Sequence, residues 1–249
     1  MLRLPAPLLV AAAVLTLSTA AQATVFSVAP TRIVLTASTA SSLVSLKNES
    51  PEPLRLQITT RAWQQDVSGE MRLSGTEDLI VFPTLLTLKP GEERKIRVAH
   101  ATTIGAVEKT YRVFVEELPA AAGEAQSTSV RILTRMGIPV FLQPAAIAAR
   151  AALAGVGLED GHLVFHLQNT GNAHFLPDEV RVRAFGPSGE LLHDQTLPAW
   201  YVLAGGDRRF DVRFPEDGCG AIRRALIDVR VGTTSVSMPL ATPGGACGS

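Results

Sequence analysis

The sequence predicts an all-β chain built of two sandwich domains, and three observations carry that expectation. Apolar and β-branched runs recur roughly every 10–15 residues, separated by clusters of Gly, Pro, Asn, Asp and Ser. No helical period persists beyond a turn or two, whereas alternation at every second residue is frequent. The runs also fall into two series, on either side of the Ala-rich "QPAAIAARAAL", Gln143 to Leu153.

Ahead of the first series stand a basic start, Met1-Leu2-Arg3, an apolar stretch, "LLVAAAVLTL" (Leu8 to Leu17), and a small-x-small site, "AQA" (Ala21 to Ala23). That order marks a secretory signal peptide, expected over residues 1–23. Its apolar stretch is far shorter than the roughly 18 residues a membrane helix needs, and no later segment reaches that length, so no membrane insertion is expected.

The first series reads "FSVAPTRIVLT", "SLVSLKNES", "LRLQITTRAWQQD", "LIVFPTLLTLK", "RKIRVAH", "TYRVFVEELP" and "VRILTRMGIPVFL". These segments, spread over about 120 residues, match an immunoglobulin-like sandwich with Greek-key wiring. Pro90-Gly91 sets the turn into "RKIRVAH", with Ile96 and Val98 pointing inward. The second series is "HLVFHLQNTGN", "EVRVRAFGPSGELL", "WYVLAGGDRRFDVRF", "ALIDVRVG" and "SVSMPL", in which "GPSGE" (Gly186 to Glu190) reads as a hairpin turn. The domains are expected at 24–143 and 144–249, with the boundary near Pro144. A short helix in the Ala-rich run is the local alternative.

Composition narrows the function. Lysine plus arginine and aspartate plus glutamate each number 23, so the basic footprint of a nucleic-acid binder is missing. Of the five histidines, His100, His162, His166, His174 and His193, only His162 and His166 share a strand face, without a third ligand at metal spacing. No G-x-S-x-G elbow, P-loop or Cys/His nucleophile pair is present. Neither catalysis nor a metal or cofactor is expected. In an oxidising compartment the two cysteines, Cys219 and Cys247, are a candidate disulfide, with two separate thiols as the alternative.

One segment exceeds what a sandwich needs. After the small, polar "PAAAGEAQSTS" (Pro119 to Ser129), Val130, Ile132, Thr134, Met136 and Ile138 alternate along one face, with Arg131, Leu133 and Arg135 on the other. Such a strand either completes the protein's own sandwich or is offered to a partner.

Five phrases decide between those readings: "VAPTRIVL", "VSLKNESPEPLRLQ", "LIVFPTLLTLKPGEERKIRV", "YRVFVEELP" and "IPVFLQP". In order and spacing they resemble the PapD-like periplasmic chaperones of the chaperone-usher pathway. In the second half, "LQNTGNAHF" and "WYVLAGGDRRF" look closer to the branch serving archaic or spore-coat-like pili. The resemblance implies a boomerang of two immunoglobulin-like domains around a cleft, working in the periplasm. Its partners would be pilus or fimbrial subunits and an outer-membrane usher. A subunit lacks its last strand, and the chaperone lends its own to fill the groove, a strand addition already known as a mode of recognition. Val130, Ile132, Thr134 and Met136 would form the donor face.

The resemblance further implies that Arg32 grips the subunit's terminal carboxylate, for which the rigid guanidinium fork is suited. Where better-known members have a second, lysine anchor, this chain has Pro139; Lys109, Arg112 and Arg135 are the candidates to replace it, Arg112 first. Glu117 would help fix the interdomain angle, although its usual arginine partner corresponds here to Gln143. The competing reading is a secreted immunoglobulin-like structural or adhesion protein of a surface fibre.

Overall fold

The computed structural model describes residues 26–119, 132–159, 161–216 and 218–242. The expected signal peptide therefore lies outside the described residues, as do Val130 and Cys247. The described chain is all-β, its one helical piece being a 3-10 turn at Cys219–Ala221.

The first half contains β1 (Phe26–Ala29), β2 (Ile33–Leu35), β3 (Ser41–Asn48), β4 (Leu54–Gln65), β5 (Met71–Ser74), β6 (Leu79–Phe82), β7 (Leu85–Leu88), β8 (Glu93–His100), β9 (Lys109–Glu117) and β10 (Arg135–Leu142). One sheet runs β1-β3-β8-β6 and the other β2-β10-β9-β4-β5, with β7 also on β4. Two of the expected strands each divide between these sheets. "FSVAPTRIVLT" breaks at Pro30: β1 pairs antiparallel with β3, and β2 pairs parallel with β10. "LIVFPTLLTLK" breaks at Pro83, leaving β6 on β8 and β7 on β4. Proline has no N–H to donate to a ladder, so each break falls where pairing must stop.

The second half contains β11 (Ala151–Glu159), β12 (His162–Asn169), β13 (Glu179–Phe185), β14 (Leu191–Leu197), β15 (Asp207–Arg213), β16 (Arg224–Val231) and β17 (Thr234–Ala241). They form two sheets, β11-β12-β15 and β14-β13-β16-β17. The Ala-rich run enters a strand, not a helix, because β11 pairs with β12 along its length, with an irregularity between Ala154 and Gly157. The turn between β13 and β14 closes through Gly186 N–H to Glu190 O at 2.9 Å, and Gly189, at φ 85°, takes a left-handed conformation that glycine adopts without steric cost.

Each pair of sheets encloses its own core, one built around Leu35, Leu46, Leu56, Ile96 and Val113, the other around Leu163, Phe165, Val182 and Ile227. A third, smaller cluster joins them: Trp63 and Phe141 from the first half pack with Tyr201 and Leu203 from the second. This junction places the functional site.

Candidate functional site

Strand registers put a row of side chains on the outer face of the β2-β10-β9-β4 sheet. Val140 pairs with Ile33 and with Tyr111, and Tyr111 pairs with Ala62; all four face the core. The adjacent row therefore faces outward, because successive side chains alternate. It comprises Pro139, Arg112 and Arg61, paired in that order, with Arg32 just before β2 at its end. Arg32 is exposed, and no ion pair or hydrogen bond holds it among the described residues.

Arg112 is the unusual member, at 5% exposure. Its Cζ stacks 4.0 Å from the centre of the Trp63 ring and lies 5.9 Å from Trp200. Nη1 reaches Gly137 O at a long 3.4 Å. Nε and Nη2 are buried and have no partner among the described residues. Burial pushes this guanidinium below its ordinary pKa. The unpaired Nε–Nη2 edge is the one with which Arg72 grips Asp66, at 2.9 and 2.6 Å, and with which Arg181 grips Asp194. It is the edge suited to a carboxylate, and leaving it unmade in the interior costs stability.

The other candidate cations are engaged. Lys109 lies on the opposite face of β9 from Arg112 and donates to Thr102 Oγ1 at 2.9 Å and Asp78 at 3.4 Å. Arg135 pairs with Glu116 at 2.5 Å and covers the Phe114 ring at 3.9 Å.

The end of β10 is unlike an ordinary sheet strand. β2 pairs only Val140 to Leu142, so from Arg135 to Pro139 the edge of β10 away from β9 has no strand beside it among the described residues. Pairing with β9 extends past the strand start, since Glu117 N–H donates to Thr134 O at 2.9 Å. Ile138, Val140 and Leu142 fill the first core. Met136 packs against it too, opposite the fully buried Val115, and is half-buried. Two residues farther along the same face Thr134 is half-buried, and Ile132 is 62% exposed. The core-facing side of β10 thus runs on beyond the core.

The sequence model for pili and flagellar-assembly chaperones, PapD N-terminal domain, matches residues 25–148. Those residues belong to that family. The same half is 29% identical over 121 residues to the chaperone protein PmfD of Proteus mirabilis (strain HI4320), a match covering 47% of this chain and 44% of that protein. The chain's match therefore spans less than half the length of that curated relative. Among solved structures, a chain from the CsuC–CsuE chaperone–tip adhesion subunit pre-assembly complex of archaic chaperone-usher Csu pili of Acinetobacter baumannii superposes with a TM-score of 0.61 at 18% identity, covering 86% of this chain and 97% of that one. The Salmonella enterica SafA pilin–SafB chaperone complex supplies another, with a TM-score of 0.55 at 13% identity, over 89% and 98% of the two chains. At these identities the likeness shows the fold alone, two immunoglobulin-like sandwiches. The family is one of chaperones, not of enzymes.

The junction between this PapD-type domain and the second sandwich corrects one assignment. Glu117 does not lie there. It closes the far end of β9, where Thr134 N–H reaches its Oε2 at 3.4 Å. The acid at the junction is Glu108, because the antiparallel register that sets Leu142 opposite Lys109 brings Gln143 to Glu108. Glu108 is wholly buried; Oε2 accepts from Gln143 Nε2 at 3.0 Å, and Oε1 meets both Nδ1 and the backbone N–H of His174, at 2.7 and 3.0 Å. His174 stacks on Phe141 at 3.6 Å. Counting the register across a β9–β10 pair would have found Glu108; the acidic phrase alone pointed to Glu117. In the second sandwich Cys219 is buried and disulfide-bonded, and Cys247, its expected partner, lies outside the described residues.

Proposed function

We propose that this protein is a periplasmic pilus-assembly chaperone that lends the lead-in to β10 to an incomplete pilus subunit and passes the subunit to an outer-membrane usher. On this reading residues 24–143 are the strand-donating domain, 144–249 the second domain, and residues 1–23 a signal peptide cleaved on export. The observation that carries it is the edge of β10 that no strand pairs among the described residues, beside an apolar face that outruns its own core. An open edge supplies backbone donors and acceptors for an added strand, and Ile132 and Thr134, with Val130 beyond them, supply side chains for the subunit's groove. Burying each large apolar side chain is worth about 1.5–3 kcal/mol, which suffices for capture without nucleotide hydrolysis.

Arg112, with Arg32 at the end of its row, serves as the anchor for the subunit's terminal carboxylate. The cation missing at Pro139 is supplied by Pro139's cross-strand partner. Co-expression with a pilus subunit tests the reading: the parent should yield a soluble one-to-one complex. Ile132→Glu should fold normally yet lose that complex, because a charge buried without a partner costs several kcal/mol, about 2 at the least. Equal recovery of complex with both proteins would rule the donor assignment out.

A further inference from the structure

The Arg112 fork has the chemistry to hold a carboxylate, yet its Nε and Nη2 are shut away from solvent. The aromatic rings around it come from both domains. Trp63, on β4, is 2% exposed and braced by Phe141 and Tyr201, with ring centres 6.1 and 5.6 Å away. Trp200 comes from the second domain, in the segment between β14 and β15, and is 47% exposed. Its ring meets Tyr201 edge-on at 5.3 Å.

The backbone around Trp200 is pinned by hydrogen bonds, while its half-exposed side chain is held among the described residues only by ring contacts. Gln65 Nε2 donates to Tyr201 O at 2.8 Å, Leu203 N–H donates to Gln65 Oε1 at 3.1 Å, and Val202 exchanges backbone hydrogen bonds with Phe175. The indole can therefore turn without any movement between the domains. At 5.9 Å its contact with the guanidinium lies near the limit of about 6 Å for cation–π attraction. A bidentate, charge-assisted pair is the stronger interaction.

We propose that Trp200 gates the carboxylate anchor: its indole covers the Arg112 guanidinium in the free protein and turns aside when a peptide's terminal carboxylate takes the Nε–Nη2 edge. This rests on Arg112 being the anchor, and adds to it a part for the second domain and a selection rule. An α-carboxylate gains a charge-assisted pair that outweighs so long a ring contact, whereas a neutral amide offers no charge to the fork.

Both tryptophans of the chain flank Arg112, so fluorotryptophan labelling of the full mature protein gives two fluorine signals at one site, assigned with Trp200→Phe. The probes are N-acetyl-alanyl-alanine and its C-terminal amide. The Arg112 Nε–H signal, assigned with Arg112→Lys, is read alongside. The free acid should move both the Arg112 Nε–H and the Trp200 signals, and the amide neither. Trp200→Ala should bind the acid about threefold more tightly, matching the loss of a weak cation–π contact, with Trp200→Phe in between. If Trp200→Ala fails to fold, the affinity of Trp200→Phe, which keeps a ring on Tyr201, decides the question. Movement of the Nε–H signal with a still Trp200, or unchanged or weaker binding by the variants, overturns the gate and leaves the anchor standing. An Nε–H signal that the acid leaves unmoved in parent and variants removes the anchor, and the gate with it.

Discussion

At the scale of single residues, stability and the proposed anchoring role pull Arg112 in opposite directions. A buried guanidinium with Nε and Nη2 unpaired among the described residues is a standing cost, and replacing it with an apolar side chain of similar reach removes that cost. Arg112→Met should therefore be more stable than the parent by ~1 kcal/mol in urea unfolding, net of the lost stacking on Trp63, while failing to capture subunits. A less stable variant that still captures them would mean that the residue is purely structural. Asp78 behaves in the ordinary way. The Tyr111 hydroxyl, donating at 2.5 Å, and after it Lys109, hold the Asp78 carboxyl below the usual aspartate range. The sign follows from linkage: a group whose folded pKa is depressed stabilises above its unfolded pKa and ceases to as pH falls through the folded value. Asp78→Asn should thus destabilise at pH 7, and its difference from the parent should shrink as the medium is acidified below about pH 4, where the unfolded carboxyl protonates. Urea midpoints of both proteins across that range check it.

At the scale of the element, β10 fills the first core and, on the proposed reading, leads into the donated segment, and Gly137 shows how its shape is kept. A Cβ there would lie 2.9 Å from Cε1 of Phe114, whose ring is held from outside by Arg135 at 3.9 Å. The ring cannot retreat without giving up that contact. Gly137→Val should cost about 1–3 kcal/mol through overpacking, measured by urea unfolding, and should displace the Gly137 carbonyl that Arg112 Nη1 approaches. An unchanged midpoint would show that Phe114 has room to move. The same strand ends its partnership with β2 at Val140, so Val140 to Leu142 are paired on both edges, while Arg135 to Pro139, which include the core residue Ile138, are paired among the described residues on only one.

At the scale of the whole molecule, the angle between the sandwiches is held by a buried carboxylate rather than by surface charge. Glu108 satisfies Gln143 and His174 together, Asn172 Nδ2 ties Ala106 O to Ala146 O at 2.9 and 2.8 Å, and Arg209 N–H donates to Val67 O at 2.7 Å. Removing one member leaves the others dehydrated and unpaired. Glu108→Ala should cost about 3 kcal/mol and let the domains splay, seen as a lower unfolding midpoint with a larger radius of gyration in solution scattering. A wild-type radius would place the rigidity in the Trp63–Phe141–Tyr201–Leu203 cluster instead.

The sequence by itself determined the sandwich architecture, since alternation and turn residues act over a few positions and can be counted along the chain. It also determined the family, through phrases that keep their order over the first half, and it singled out Arg112 as the cation to watch beside Pro139. Only the tertiary structure decided which faces meet. Met136 rests half-buried against the first core because Val115 stands opposite, and Glu108 rather than Glu117 took the junction because antiparallel pairing sets Gln143 beside it. In the sequence Trp200 opened an expected strand, "WYVLAGGDRRFDVRF", whereas the structure leaves it in the connection between β14 and β15. Its place over Arg112 depends on how a second domain, distant in sequence, docks on the first, and local periodicity carries no information about that docking.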